Sequence, residues 1–475
     1  MRPVFLWIDA LAWLLVAVVA AYAWYARRQP HLAAAWRRVG ASGPGMAALV
    51  VLAAFAIVGL LDCLHYRPLL PGKPGAAPAY SVEVKSVLDA ALDPLRSRAE
   101  RTYSAPLAIH AHARETVELP DGRVVRAYPR LQHAGAGLAD EAARDRDVLV
   151  RTLAGLAAGL AAWALAALGL AALVAQRRRA PLAATIRAIA RGETGFAWRA
   201  MLVALLGVAL VAAPVAALAA EYHVLGTDKV GQDVLYLALK SVRTAIVIGT
   251  LTTLIVLPFA VLLGIAAGYF RGWVDDVVQY VYTTLNSIPA VLLIAAAVLM
   301  VQVYIDTHPE RFATAAERAD LRLLFLCIIL GVTSWTGLAR LLRGETLKLR
   351  EVDYIQAAQA FGVRHGRIIT RHILPNVMHI VLITVVLDFS SLVLAEAVLS
   401  YVGVGVDPSM QSFGTMINAA RLEMAREPIV WWTLAAAFGF MLVLVLAANL
   451  LADAVRDALD PRVRVATAAA PEGAR

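Results

Sequence analysis

DYIQAAQAFGVRHGRIITRHILP, residues 353–375, is a polar, arginine-bearing stretch set between two long apolar runs. It is too charged to lie in hydrocarbon, and its pattern is that of a short helix. Asp353 is placed as the helix cap, and Gln356, three positions on, completes a capping box. Tyr354, Ile355, Ala358 and Phe361 then fall on one face at helical spacing, while Gln356 and Gln359 point elsewhere. Gly362 ends the helix, and Pro375 marks entry into the next apolar run. A short helix with an apolar face at a membrane surface either receives a partner or lies on lipid.

The surrounding composition says which kind of protein carries this hinge. Of 475 residues, 60% are hydrophobic and only 17% are charged, which is the make-up of a polytopic membrane protein. The net charge of +9 comes from arginines clustered in short loops beside apolar spans, so it implies no nucleic-acid partner. Cys63 and Cys327 lie in or beside apolar runs and form no disulfide or metal-binding pattern. The chain holds no GxxxxGK[ST] phosphate loop, so ATP hydrolysis by this subunit is not expected.

A helical span needs about 20 mostly apolar residues. Nine such runs are expected, at roughly 5–25, 46–64, 149–175, 200–220, 241–269, 276–304, 322–343, 376–402 and 429–452. Arg27, Arg28, Arg37 and Arg38 lie in one loop without an acid. Arg177, Arg178, Arg179, Arg187, Arg191 and Arg199 lie in another beside a single Glu193. The hinge adds Arg340, Arg343, Lys348, Arg350, Arg364, Arg367 and Arg371 against three acids. Nine spans put all three loops on one side, which charge makes cytoplasmic, with the N-terminus outside and the C-terminus inside. The first run ends in Ala21-Tyr22-Ala23, a signal-peptidase-like pattern, but cleavage there would break this agreement, and an uncleaved anchor is expected.

Residues 65–147 are the only large polar segment, with twelve Lys/Arg and eleven Asp/Glu. They are expected outside as a small α+β domain, with a helix over Ser81–Arg101 and a strand pair over Thr116–Tyr128 turned at Pro120-Asp121-Gly122. His110 and His112, with His65 and His133, have the alternation of a metal site but loose spacing and no acid cluster, so no metal is expected. The organisation is then 1–64 (two spans), 65–147 (outer domain), 148–198 (third span and basic linker), 199–463 (six-span core) and 464–475 (disordered tail).

Four stretches, in order, carry a resemblance. They are HVLGTDKVGQDVL (223–235), GYFRGWVDDVVQYVYTTLNSIPAVLL (268–293), YIQAAQAFG with HILPN (354–376), and EAVLSYVGVGVDPSMQSFGTMINAAR (396–421). Residues 199–463 resemble the permease subunits of binding-protein-dependent ABC importers, in the dipeptide/oligopeptide/nickel branch. The first 198 residues depart from that pattern. The resemblance implies a bacterial inner-membrane transport subunit, two partner ATPases that bind ATP and Mg, a second homologous permease and an extracytoplasmic solute-binding protein. It also implies a coupling helix seated in the ATPase, at Tyr354, Ile355, Gln356, Ala357, Ala358, Phe361, Gly362 and Pro375. Where the family often has Glu, this chain has Gln356, which keeps the capping geometry and drops a charge.

The turn at Gly226, Thr227, Asp228, Gly231 and Asp233 reads locally as a capped helix start. By resemblance it faces the solute-binding protein, as does the loop with Gly403, Gly405, Pro408, Ser412 and Phe413. Asn286, Pro289, Asp388 and Glu396 are polar or kinking positions within spans. They either line a translocation path or pair with neighbouring helices. Two rival readings use the same residues. One is a membrane sensor or scaffold built on 65–147; the other is an ion-coupled secondary transporter using Asp388 and Glu396.

Overall fold

The computed structural model describes residues 2–70, 80–118, 124–138, 141–312 and 314–459. The turn expected at Pro120-Asp121-Gly122 and the tail 464–475 lie outside the described residues. Strand β1 (Arg2–Val4) leads to α1 (Trp7–Arg28), α2 (Pro30–Ala41) and α3 (Gly43–Asp62). The polar segment holds β2 (His65–Arg67), β3 (Lys85–Ser86), α4 (Val87–Ala91), α5 (Asp93–Ser97), β4 (Glu115–Glu118) and β5 (Val124–Ala127). Helices α6 (Arg144–Arg178), α7 (Leu182–Arg191), α8 (Trp198–Ala219) and α9 (Val234–Phe270) follow. Next come α10 (Trp273–Ser287), α11 (Ala290–Thr307), α12 (Ala315–Ser334) and α13 (Thr336–Arg350). The chain continues through α14 (Asp353–Ala360), α15 (His365–Ile368), α16 (Leu374–Val402), α17 (Phe413–Glu423) and α18 (Trp432–Leu459).

Among the described residues nine helices are long and apolar enough to cross a membrane. The protein is an all-α, multi-pass membrane protein with a small mixed segment between its second and third spans. The expected sixth span, 276–304, is corrected: Ile288 and Pro289 leave the helix, so α10 and α11 are separate and only α11 has the character of a span. Pro289 has no N–H to continue the α10 ladder, and instead caps α11. The expected helix over Ser81–Arg101 is likewise replaced by β3 and two short helices. Ser86 and Asp89 form a reciprocal capping box that starts α4, and Pro94 starts α5 afresh.

Two compact units make up the chain. The first comprises 1–5, 37–245 and 410–450. Here β1, β2 and β3 form an antiparallel sheet in that order, and β4 pairs with β5. Helix α8 packs against α3 and α6. The α6 contact is close because Gly155 and Gly159 lie one turn apart on one face. A Cβ at Gly155 would sit 2.5 Å from Pro214 Cα, and one at Gly159 would sit 2.7 Å from Ala209 O. Small residues at this spacing let spans approach through backbone contacts, which supply attraction where lipid supplies little hydrophobic drive.

The second unit comprises 6–36, 246–409 and 451–475. Helix α1 packs on α12, and the carboxylate of Asp320 accepts the Ile8 N–H at 3.2 Å, satisfying one of the free donors at the start of α1. A buried apolar cluster joins Val256, Ala260 and Ile265 of α9, Leu338 and Leu342 of α13, Ile355 of α14, and Val377 and Val381 of α16.

Candidate functional site

Only Glu351 and Val352 separate α13 from α14, and this brevity decides how the hinge helix starts. Val352 is the cap residue, and Asp353 is the first helical residue. The expected Asp353–Gln356 capping box is therefore absent. Gln356 Nε2 donates instead to the backbone and side-chain oxygens of Glu351, at 3.2 and 3.3 Å. Asp353, at the first turn, still places a negative charge at the positive end of the helix.

The end of α14 forms as the sequence implies. Gly362 takes φ +72°, its N–H donates to Gln359 O, and the Val363 N–H donates to Ala358 O. These two bonds are a Schellman motif, and Val363 and Ala358 both pack on the buried cluster. The expected single apolar face divides in two. Ile355 is 0% exposed and Ala358 is half-buried, whereas Tyr354 is 46% and Phe361 86% exposed. Ala357, Gly362 and Pro375 are also exposed. The inner residues thus fasten α14 to the bundle, and the two aromatics are left on its surface.

Polar contacts hold this arrangement around the cluster. Tyr269 OH and His365 Nδ1 are 2.8 Å apart, and Asn376 Nδ2 donates to Tyr354 OH at 2.9 Å. Arg271 pairs with Glu351, while Arg343 binds Asp275 in bidentate fashion at 2.6 and 2.7 Å. A π-helical turn, Ile369–Ile373, joins α15 to α16, and Pro375 sits in the first turn of α16, next to that irregular turn.

The 223–235 turn leads into α9, with Lys229, Val230 and Gln232 exposed and the rest of it largely buried. Thr227 is fully buried; its N–H donates to Ser104 O at 3.1 Å and its hydroxyl to Thr102 O at 2.9 Å. Trp432 Nε1 donates to Thr227 O at 2.9 Å. Gly226 and Gly231 lie against Ser104 and Glu100. Asp228 accepts the N–H groups of Val230 and Gln232, and Asp233 accepts those of Leu235 and Tyr236 as the cap of α9. The polar segment after α5 therefore covers much of this turn.

Glu100, which the sequence reading did not single out, is the centre of that cover. Its carboxylate accepts the N–H groups of Gln132, His133 and Ala134, at 2.8, 2.8 and 3.1 Å. It also lies 3.7 Å from His223 Nε2, while His223 Nδ1 is 2.7 Å from Asp233 Oδ2. Burial works against the His223 imidazolium, but Asp233 and Glu100 outweigh it and raise its pKa to about 9. Burial would also raise the Glu100 carboxyl, yet His223 and the three backbone N–H groups hold it near 2. A second cluster stands nearby in sequence: Lys240 Nζ is 2.6 Å from Asp62 Oδ1 and 3.0 Å from Asp89 Oδ1, and Tyr236 OH donates to Asp89 at 2.8 Å. The visible signal was Asp62 and Lys240 at the edges of apolar runs, with Asp89 inside the polar segment.

The remaining candidates are dispersed. Asn286 Oδ1 accepts a bond from Thr336 at 3.2 Å, and Pro289 caps α11. Glu396 is 1% exposed and accepts the Ser400 hydroxyl at 2.6 Å; that hydroxyl in turn accepts the Val406 N–H, so Glu396 ties α16 to the loop after it. Asp388 is half-buried on the same helix. Ser412 and Thr415 form a capping box for α17, and Phe413 is buried. His110 faces Glu141 at 3.4 Å, and His112 packs edge-on against Trp432. Among the described residues no group of three His, Cys, Asp or Glu side chains is placed to hold a metal.

The family model of binding-protein-dependent transport system inner membrane components matches residues 260–465. The oligopeptide transport system permease protein OppC of Mycobacterium tuberculosis (strain ATCC 25618 / H37Rv) is 32% identical over 242 residues, spanning 51% of this chain and 77% of that protein. The glutathione transport system permease protein GsiD of Pectobacterium atrosepticum is 30% identical over 244 residues, spanning 51% and 73%. Among solved structures, the inward-facing MetNI methionine ABC transporter aligns with a TM-score of 0.36 at 15% identity, over 48% of this chain and 97% of that one, a likeness too slight to bear on the fold.

Proposed function

The chain belongs to the family of binding-protein-dependent transport system inner membrane components, as a multi-pass permease subunit of an ABC importer, and on that premise we propose that α14 is its coupling helix. Tyr354 and Phe361 enter a cleft of a partner ATPase, while Ile355 and Ala358 fix the helix to α9, α13 and α16. ATP and Mg reside on two such ATPases, and their closure moves α14 and the spans attached to it between two states of access. Gln356 contributes position rather than charge, since its amide is spent on Glu351.

The observation that carries this reading is an aromatic left 86% exposed at the end of a helix whose inner face is locked. Exposed aromatics seated on a rigid element are what a protein partner anchors on. The basic loops put α14 at the cytoplasmic side, the N-terminus outside and the C-terminus inside. The importer is completed by a second homologous permease and an extracytoplasmic solute-binding protein, with peptides as the solute class, as the names of its relatives suggest. The six-span core is 199–463. Asp388, Glu396, Asn286 and Pro289 are the candidates for bordering its path.

Replacing Phe361 with Ala tests the coupling role without disturbing the fold. Thermal unfolding of the purified chain should stay within about 0.5 kcal/mol of the parent. ATP-driven uptake of labelled di- and oligopeptides by the assembled importer should fall about tenfold or more, with weaker ATPase co-purification. Parental uptake and ATPase retention in that variant would overturn the assignment.

A further inference from the structure

Asp233, Tyr236 and Lys240 lie at the start of α9 at spacings that return to one side of a helix. Tyr236 and Lys240 engage the polar segment or the end of α3 directly, and Asp233 reaches the segment through His223. Asp233 holds His223, which faces Glu100; Tyr236 and Lys240 hold Asp89, and Lys240 also holds Asp62. Every carboxylate in the two clusters is buried. Glu100 makes three backbone bonds within its own segment, and Asp89 closes the capping box of α4, so each acid is held by its own segment as well as by its partner across the contact.

We propose that Glu100 and Asp89 are positioning residues for the start of α9: through two buried charge clusters the polar segment, residues 80–118 and 124–138, grips residues 234–240, and the segment and this first part of the helix move together. Gly231 reinforces the grip, since its backbone passes so close to Glu100 that a Cβ there would lie 1.9 Å from the Glu100 carbonyl oxygen. In an importer, this makes α9 answerable to whatever docks on the segment, a consequence that rests on the function proposed above. The grip itself does not depend on it.

The test uses the purified full chain in lipid nanodiscs, without partners, and reads hydrogen exchange. In E100Q, exchange should rise about tenfold or more both in 98–138 and in 234–240, while 323–342 stays at the parental rate. D89N should raise exchange at 234–240 as well. K240R should retain parental protection there, and K240M should lose it. Exchange that rises in 98–138 but not in 234–240 would overturn the proposal, as would a rise spread over all spans or equal behaviour of K240R and K240M.

The pH profile is a further arm that simple packing would not move. His223 is faced by Asp233 from α9 and Glu100 from the segment, and Arg98, His133 and Glu221 line the same small cavity. A raised histidine pKa means that its contribution is complete below 6.5 and is lost as pH rises through about 9. Protection at 234–240, corrected for intrinsic exchange, should fall across that window, and E100Q should move the fall to lower pH. A profile that is flat, or identical in both proteins, would exclude His223 from the grip. The same chains assembled with their ATPases would report uptake separately, so a failed coupling role and a failed grip give different results.

Discussion

Gly231 and Gly362 both hold a positive φ, at +76° and +72°, yet they sit in opposite surroundings. Around Gly362 nothing lies within 4 Å of an added Cβ, so G362A meets only the left-handed backbone penalty of about 1 kcal/mol. At Gly231 the same change drives a methyl into the Glu100 backbone, and about 3 kcal/mol or more is expected. Limited proteolysis and thermal unfolding in detergent should therefore separate the two, with the 80–138 segment cut faster in G231A alone. The positive-φ turn at each site was legible, because Gly after a helical pattern and Gly within the polar run Asp-Lys-Val-Gly-Gln-Asp before an apolar run are local signals. The collision was not, because Glu100 is distant along the chain. Gln356 shows the reverse failure: a capping pattern was present, but the two-residue link from α13 moved the cap to Val352 and gave the amide to Glu351.

At the scale of elements, the spans follow from length and hydropathy, and their number agrees with the nine found among the described residues. A run read as one span can hold a break that divides an amphipathic helix from an apolar one. Ile288, in an extended conformation, ends α10, and Pro289 restarts the chain as α11; Pro214 and Pro258 lie within α8 and α9 without ending them, so a proline alone does not announce such a break. The contact of α6 with α8 is likewise a matter of shape. Replacing Gly155 or Gly159 with Leu should cost about 1–3 kcal/mol each and lower the folded fraction on size-exclusion chromatography. Gly169, on the same helix with open space around it, provides the contrast: G169A should leave the folded fraction unchanged or raise it slightly, since Ala gains about 1 kcal/mol over Gly in a helix.

For the whole molecule, the first 198 residues are bound into the fold rather than appended to it. Helix α8 loses α3 and α6 without them, and Lys240 and His223 lose Asp62, Asp89 and Glu100. A chain reduced to residues 199–459 should then give little folded protein in detergent, because charges are left buried without partners. Adding K240L to the shortened chain should recover part of the yield. Equal yields from the short and full chains would show that the extension is dispensable for folding.

The sequence by itself determined the class of protein, the number of spans, the Gly362 stop and the family motifs. Each of these rests on composition or on patterns a few residues long, where neighbours along the chain dictate the chemistry. Tertiary structure alone decided that Tyr354 and Phe361 face outward while Ile355 locks inward, that much of the 223–235 turn lies beneath the polar segment, that Asp89 meets α9 and that Glu100 meets His223. Those outcomes depend on buried charges finding partners and on backbones finding room, and both are settled between residues that the sequence keeps far apart.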